Sequence, residues 1–144
     1  MGGCVSLPLV TETPLRILLA EDDDGLAELV GTILDGDGRF IVLGRATTGD
    51  DAVTLCEEHE PDIVLMDIGM PGRDGIAATS AIHARDPGQH VVIYTGSDEY
   101  GDVARAEDAG AVGYLHKDAL TSPDLAEALQ VLHANYLNSV PDPD

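Results

Sequence analysis

Five residues of this 144-residue chain could do chemistry together: Glu21, Asp22, Asp67, Thr95 and Lys117. Each lies at or just beyond the end of a short apolar run. Leu-Arg-Ile-Leu-Leu-Ala (15–20) runs into Glu21-Asp22-Asp23-Asp24, and Ile-Val-Leu-Met (63–66) stops at Asp67. Val91 to Tyr94 leads into Thr95, and Lys117 stands two residues past the run Ala111 to Leu115. Three carboxylates brought to one edge repel one another, and their pKa values rise unless a cation compensates. Mg²⁺ prefers oxygen ligands and keeps water positions open. Lys117 adds positive charge and Thr95 a hydroxyl donor. An aspartate in such a set can attack a phosphoryl group and hold it as an acyl phosphate. Mg²⁺ and Lys117 would neutralise the phosphoryl oxygens during transfer. Each residue alone has a plainer use: a loop cap, a solvated acidic run, a surface lysine, a strand end. The conjunction decides, because every one sits at the same kind of position in consecutive units.

The elements that must position them follow from periodicity. Leu15–Ala20, Phe40–Leu43, Ile63–Met66, Val91–Thr95 and Ala111–Leu115 read as five strands. Short apolar runs of this kind suit strands buried on both faces of a parallel sheet. Leu26, Leu29, Val30, Ile33 and Leu34 recur at helix spacing, and Gly36 and Gly38 stop that helix. A second helix starts near Thr48-Gly49-Asp50, with Ala52, Leu55, Cys56 and His59 on one face. Gly69, Pro71, Gly72 and Gly75 mark a loop turning into a third helix, Ile76–Ala84. Ser97 can cap a fourth helix with a weak apolar side of Val103, Ala104 and Ala106. Ser122 is expected to cap a fifth, with Pro123 in its first turn and Leu125, Ala128, Leu129, Leu132 and Tyr136 as its stripe. Strands alternating with helices argue for a parallel sheet covered on both faces, in one domain.

Composition excludes several functions. Net charge is −20, with only 7 Lys and Arg against 27 Asp and Glu, so nucleic acid and anionic membranes are poor partners. No run approaches a membrane span and no secretory signal is visible. Cys4 and Cys56 form no metal or CxxC spacing, and Cys56 reads as a buried thiol in a cytoplasmic protein. Met1–Pro14 reads as a flexible leader. Its Met-Gly-Gly-Cys-Val-Ser start matches an acylation pattern that is too short to carry weight. Residues 138–144 read as a disordered acidic tail.

Four segments resemble the receiver domain of bacterial two-component response regulators. They are Ile-Leu-Leu-Ala-Glu-Asp-Asp (17–23), the run Pro61–Gly75, Val-Val-Ile-Tyr-Thr-Gly (91–96) and Gly-Ala-Val-Gly-Tyr-Leu-His-Lys-Asp (110–118). The resemblance covers roughly Leu15 to Tyr136 and sets the domain at 15–137. It implies a flavodoxin-like (βα)5 α/β fold with strand order 2-1-3-4-5. It implies that Asp67 is the phosphoacceptor, and that a sensor histidine kinase or phosphotransfer protein donates the group. Such a chain is a signalling module that catalyses only its own phosphorylation and dephosphorylation. Asp22, Asp67 and the backbone carbonyl of Gly69 would hold Mg²⁺ or Mn²⁺, with Glu21 acting through water. Thr95 and Lys117 would hold the phosphoryl oxygens. Tyr114 matches an aromatic switch position beside Thr95. Output is expected through the surface of helix 4, strand 5 and helix 5, where a second copy could dock.

Two features depart from the common pattern. Gly69 has no side chain where many relatives carry one, and Asp118 follows Lys117 where proline is frequent. The second variant resembles receivers attached to helix-turn-helix output domains, so the chain is either a stand-alone receiver or one cut before its output. The competing functions are an unphosphorylated binding scaffold and a haloacid-dehalogenase-type phosphatase. The latter needs a second acid at the position of Gly69.

Overall fold

The computed structural model describes residues 14–70, 74–95, 100–111 and 113–139, without the side chains of 100–103 and 139. The expected leader, Pro71, Gly72, the Ser97 cap and most of the expected tail lie outside the described residues. Five strands form one parallel sheet: β1 (Leu15–Ala20), β2 (Phe40–Ala46), β3 (Ile63–Asp67), β4 (His90–Thr95) and β5 (Gly113–His116), in the order β2-β1-β3-β4-β5. The helices are α1 (Asp24–Asp37), α2 (Gly49–His59), α3 (Gly75–Arg85), α4 (Tyr100–Ala109) and α5 (Leu125–Ser139).

Strand alternation divides the core between the two faces. Ile17, Leu19, Ile63, Leu65, Val92 and Tyr94 pack with Val30 and Leu34 of α1 and Leu125 and Leu129 of α5. Leu18, Ala20, Val64, Met66, Val91 and Ile93 pack on the opposite face with Ala52 and Cys56 of α2, Ala78 and Ile82 of α3 and Ala106 of α4. This two-sided burial is why β1, β3 and β4 read as continuous apolar runs. Side-chain caps start three of the helices. Asp23, Thr48 and Asp74 accept from the backbone N–H of Leu26, Asp51 and Ala77.

Several expectations need correction. β2 runs on to Ala46, because the register shifts between Ile17 and Leu18: Val42 pairs with Ile17 and Gly44 with Leu18, leaving Leu43 as the extra residue of a bulge. β5 begins at Gly113 rather than Ala111, and a 3-10 turn, Lys117–Thr121, follows it. The Ser122 hydroxyl accepts from Asp124 N–H within the turn that leads to α5, so the helix starts at Leu125 and not at Pro123. Leu29 is 46% exposed, since α1 turns only Ala27, Val30 and Leu34 fully inward. Ala104 is exposed, leaving Ala106 as the buried described side chain of α4.

The sheet edge where β4 begins is fastened to α5 by a stack of rings. His90 Nδ1 lies 2.8 Å from His133 Nδ1. Their centroids are 5.1 Å apart and their planes differ by 13°, the geometry of an in-plane N–H···N bond between two neutral imidazoles. Tyr136 stacks on His90 at 4.4 Å and its hydroxyl donates to the Gly88 carbonyl. Burial, then the neighbouring His133, push His90 down to about 4. Burial also lowers His133, against the pull of Asp62. An unfolded histidine titrates near 6.5, so between about 6.5 and about 4 the unfolded chain binds more protons and stability rises with pH. The contribution is complete above that window and is lost as pH falls through it. Chemical denaturation should therefore show the parent losing about 1–2 kcal/mol more than His90→Phe between about pH 7 and about pH 5. Equal losses would mean that His90 is not held neutral.

Candidate functional site

The C-terminal ends of β1 and β3 deliver Glu21, Asp22 and Asp67 to one place. One carboxylate oxygen from each lies within 4.8 Å of the others. Glu21 and Asp67 are 1% and 6% exposed, whereas Asp22 faces solvent. Asp67 is the last residue of β3 and pairs in register with Tyr94. Its Oδ1 accepts the Gly69 N–H at 3.1 Å. The following loop is fastened by Ile68 N–H to the Tyr94 carbonyl and by Gly75 N–H to the Ile68 carbonyl, both at 3.1 Å. Only glycine fits at position 75: a Cβ there would stand 2.2 Å from the Asp67 carbonyl oxygen. A Cβ at Gly69 would lie 4.0 Å from Asp67 Oδ1, so the bare glycine leaves the carboxylate open on that side.

Glu21 is braced by β2, by β4 and by the turn before α1. Its N–H donates to the Ala46 carbonyl of β2 at 2.9 Å, and its own carbonyl accepts Arg45 Nε at 2.9 Å. Arg45 Nη1 meets Asp24 Oδ1 at 2.7 Å and so holds the start of α1 against β2. The Glu21 side chain accepts the Asp23 N–H on Oε2 and the buried Tyr94 hydroxyl on Oε1. Burial raises the Glu21 carboxyl above the ordinary range. The Tyr94 and Asp23 hydrogen bonds pull it back, Asp67 raises it further and Lys117 lowers it. Burial and the hydrogen bond to Glu21 push the Tyr94 phenol far up, so it remains a donor.

Thr95 ends β4, 5% exposed, and pairs with His116 of β5. Lys117 follows His116 directly, at the start of the 3-10 turn. The five residues singled out by their spacing thus lie at one edge of the sheet. Tyr114 pairs with Ile93, and the alternation of β4 puts Ile93 and Thr95 on the same face. Arg45 and Tyr94 had no signal as site residues. Arg45 falls beyond the expected end of β2, and Tyr94 read as one more apolar position of a buried strand. Cys56 is buried as expected, with its thiol pushed up to about 11 by burial.

The donor set fits a small hard cation. All three donors are carboxylate oxygens, and octahedral Mg²⁺ at about 2.1 Å per bond needs ligand oxygens about 3–4 Å apart. Their spacing demands little closure, and a cation would relieve the repulsion that Asp67 imposes on Glu21.

Comparison with known proteins agrees with this geometry. The response regulator receiver domain family matches residues 17–130. Among curated relatives, the transcriptional regulatory protein DesR of Bacillus subtilis is 37% identical over 116 residues, covering 81% of this chain and 57% of that protein. The chain thus spans a little over half the length of that regulator. The chemotaxis protein CheY of Halobacterium salinarum is 36% identical over 114 residues, covering 79% of this chain and 92% of CheY. Among solved structures, the response regulator domain of Thermotoga maritima CheB superposes with a TM-score of 0.76 at 27% identity, over 90% of this chain and 100% of that one. A CheX-CheY-BeF3-Mg complex from Borrelia burgdorferi gives 0.76 at 26% identity, over 89% of this chain and 93% of that one. No helix among the described residues is long and apolar enough to cross a membrane. The chain belongs to the response regulator receiver domain family, the signalling modules of two-component systems.

Proposed function

We propose that Asp67 accepts a phosphoryl group from a histidine kinase or phosphotransfer protein and that this controls partner binding. The observation that carries the reading is the meeting of Glu21, Asp22 and Asp67 within 4.8 Å at the end of β3. An Asp67 carboxylate oxygen attacks phosphorus, the bond to the donor nitrogen breaks, and an acyl phosphate remains. When bound, Mg²⁺ would supply charge neutralisation at the phosphoryl oxygens. Asp22, Asp67 and the Gly69 carbonyl would hold the cation, with Glu21 acting through water. Lys117 and the Thr95 hydroxyl hold the transferred oxygens. The Mg²⁺ of the Borrelia burgdorferi CheY complex supports the same choice of cation here.

Output runs through α4, β5 and α5. If Thr95 turns toward the phosphoryl group, it vacates space on the face it shares with Tyr114, and Tyr114 turns inward. The edge formed by α4 is the part most easily repacked, because Ala106 is small and Ala104, Arg105, Glu107 and Asp108 are exposed. A second copy of the chain docks on that face when it is phosphorylated. Control of transcription is a second reading, favoured by the likeness to DesR, a transcriptional regulatory protein. A net charge of −20 opposes direct contact with nucleic acid, so this output needs a further part or partner.

Three outcomes test the proposal. Acetyl phosphate with Mg²⁺ should add a single acid-stable, base-labile phosphoryl group to the parent, seen by mass spectrometry, and none to Asp67→Asn. Undiminished labelling of Asp67→Asn would overturn the assignment. Mg²⁺ should raise the melting temperature by mass action, and Asp22→Ala should reduce both that rise and the labelling. A variant that binds Mg²⁺ like the parent would refute the ligand set. Amide hydrogen exchange with and without a beryllofluoride mimic should change at Tyr100–Ala109 and Tyr114. Changes confined to the loops around Asp67 would reject this output route.

A further inference from the structure

Tyr94 occupies a position that the phosphorylation chemistry above does not use. It is the largest of the fully buried side chains and lies on β4, two strands away from β1. Its ring packs in the core beneath α1 and α5, among Ile17, Leu19, Leu65 and Leu120. A phenylalanine would fill that space equally well. The hydroxyl needs its own explanation, because a buried phenol demands a partner. The partner is Glu21 Oε1, with the Ala20 carbonyl 3.4 Å away as a weaker second acceptor.

Glu21 is itself almost completely buried, and its other oxygen is taken by the Asp23 N–H at 2.9 Å. The two donors leave the carboxylate little freedom to rotate. One comes from the adjacent turn, and the other from a strand on the far side of Asp67. Tyr94 also holds the phosphoacceptor loop by its main chain, since its carbonyl accepts the Ile68 N–H at 3.1 Å. One residue therefore grips the acid at the end of β1 and the loop after β3. It directly precedes Thr95.

From this geometry we infer that Tyr94 is a positioning residue of the cation site. Its hydroxyl holds Glu21 in the orientation that faces Asp22 and Asp67, and its ring senses the cation through that carboxylate. The inference rests on the proposed Mg²⁺ site and adds to it a link between cation binding and β4. A carboxylate that also accepts from a cation-bound water accepts less strongly from a phenol, so cation binding changes the electronic environment of Tyr94. The chain has no Trp and 4 Tyr, so its near-ultraviolet spectrum is a tyrosine spectrum in which one buried residue is visible.

The test uses the full chain and Mg²⁺ alone. Titration of the parent should change the near-ultraviolet absorption and fluorescence with the same midpoint that calorimetry gives for binding. Tyr94→Phe should lose that optical change and bind Mg²⁺ roughly tenfold more weakly, the effect of one hydrogen bond to a charged group. Phosphorylation by acetyl phosphate should then return toward the parental rate at saturating Mg²⁺, which a general loss of packing would not produce. Glu21→Gln, with Tyr94 intact, should lose the optical change as well. That second variant keeps the test decisive should Tyr94→Phe fold poorly. Parental Mg²⁺ affinity in Tyr94→Phe, or a persisting optical change in either variant, would overturn the role of Tyr94 while leaving the cation site standing. Failure of the parent itself to bind Mg²⁺ would overturn the site, and this inference with it.

Discussion

Mutual repulsion among Glu21, Asp22 and Asp67 is the constraint around which the C-terminal edge of the sheet is built. Two of the three carboxylates are almost fully buried in a chain of net charge −20. At Glu21 burial and the neighbouring Asp67 both favour protonation, and a protonated acid is a poor cation ligand. The groups that brace or offset this cluster come from every other strand. β2 supplies Arg45 and the Ala46 carbonyl that fixes the Glu21 backbone. β4 supplies the Tyr94 hydroxyl, and Lys117, just past β5, acts on Glu21 through its charge. The order β2-β1-β3-β4-β5 puts the two acidic strands next to each other and the donors on either side. The sheet order therefore brings the acids together and sets the groups that brace them on either side.

The opposite edge handles polarity differently. There polar atoms pair without charge: His90 Nδ1 with His133 Nδ1, the Tyr136 hydroxyl with the Gly88 carbonyl, and Gln89 Nε2 with the Pro61 carbonyl. None of these bonds needs a cation, and together they anchor the start of β4 to α5 and to the end of α2. β4 is thus held at its foot by neutral contacts and at its head by Tyr94. On the side away from β3 its neighbour is β5, half-buried along all four residues.

Legibility in the sequence followed burial. β1, β3 and β4 were visible because parallel strands covered on both faces leave unbroken apolar runs. The acids at their ends stood out against those runs. β2 was cut short because the bulge at Leu43 breaks its pattern and the apolar run in the sequence stops at Gly44-Arg45. β5 was started two residues early because Ala111-Val112 extends its apolar run in the sequence, while the strand itself begins at Gly113. The contribution of Tyr94 could not be read at all. A tyrosine in a buried strand differs from a phenylalanine only by one oxygen, and its acceptor is 73 residues away. The same holds for Arg45, whose acceptors Glu21 and Asp24 lie just before α1 and at its first residue.

The energy available for switching is local. A phosphoryl group at Asp67, as proposed, adds negative charge to a molecule that already carries −20, yet most of that charge is solvent-exposed and screened beyond about 8 Å at physiological ionic strength. The distant acids therefore oppose phosphorylation only weakly. The outcome depends on groups within contact range: the cation, Lys117, Thr95 and the backbone donors of the loop after β3. A local gain cannot move a partner surface by long-range field, so it has to be converted into packing. The α1 and α5 side of the sheet is filled by large side chains, Leu34, Leu120, Leu125 and Leu129 among them. On the other side, Ala106 is the buried one among the described side chains of α4, and a change against so small a residue costs fewer contacts. That difference between the two faces is what supports the proposed output through α4 and β5.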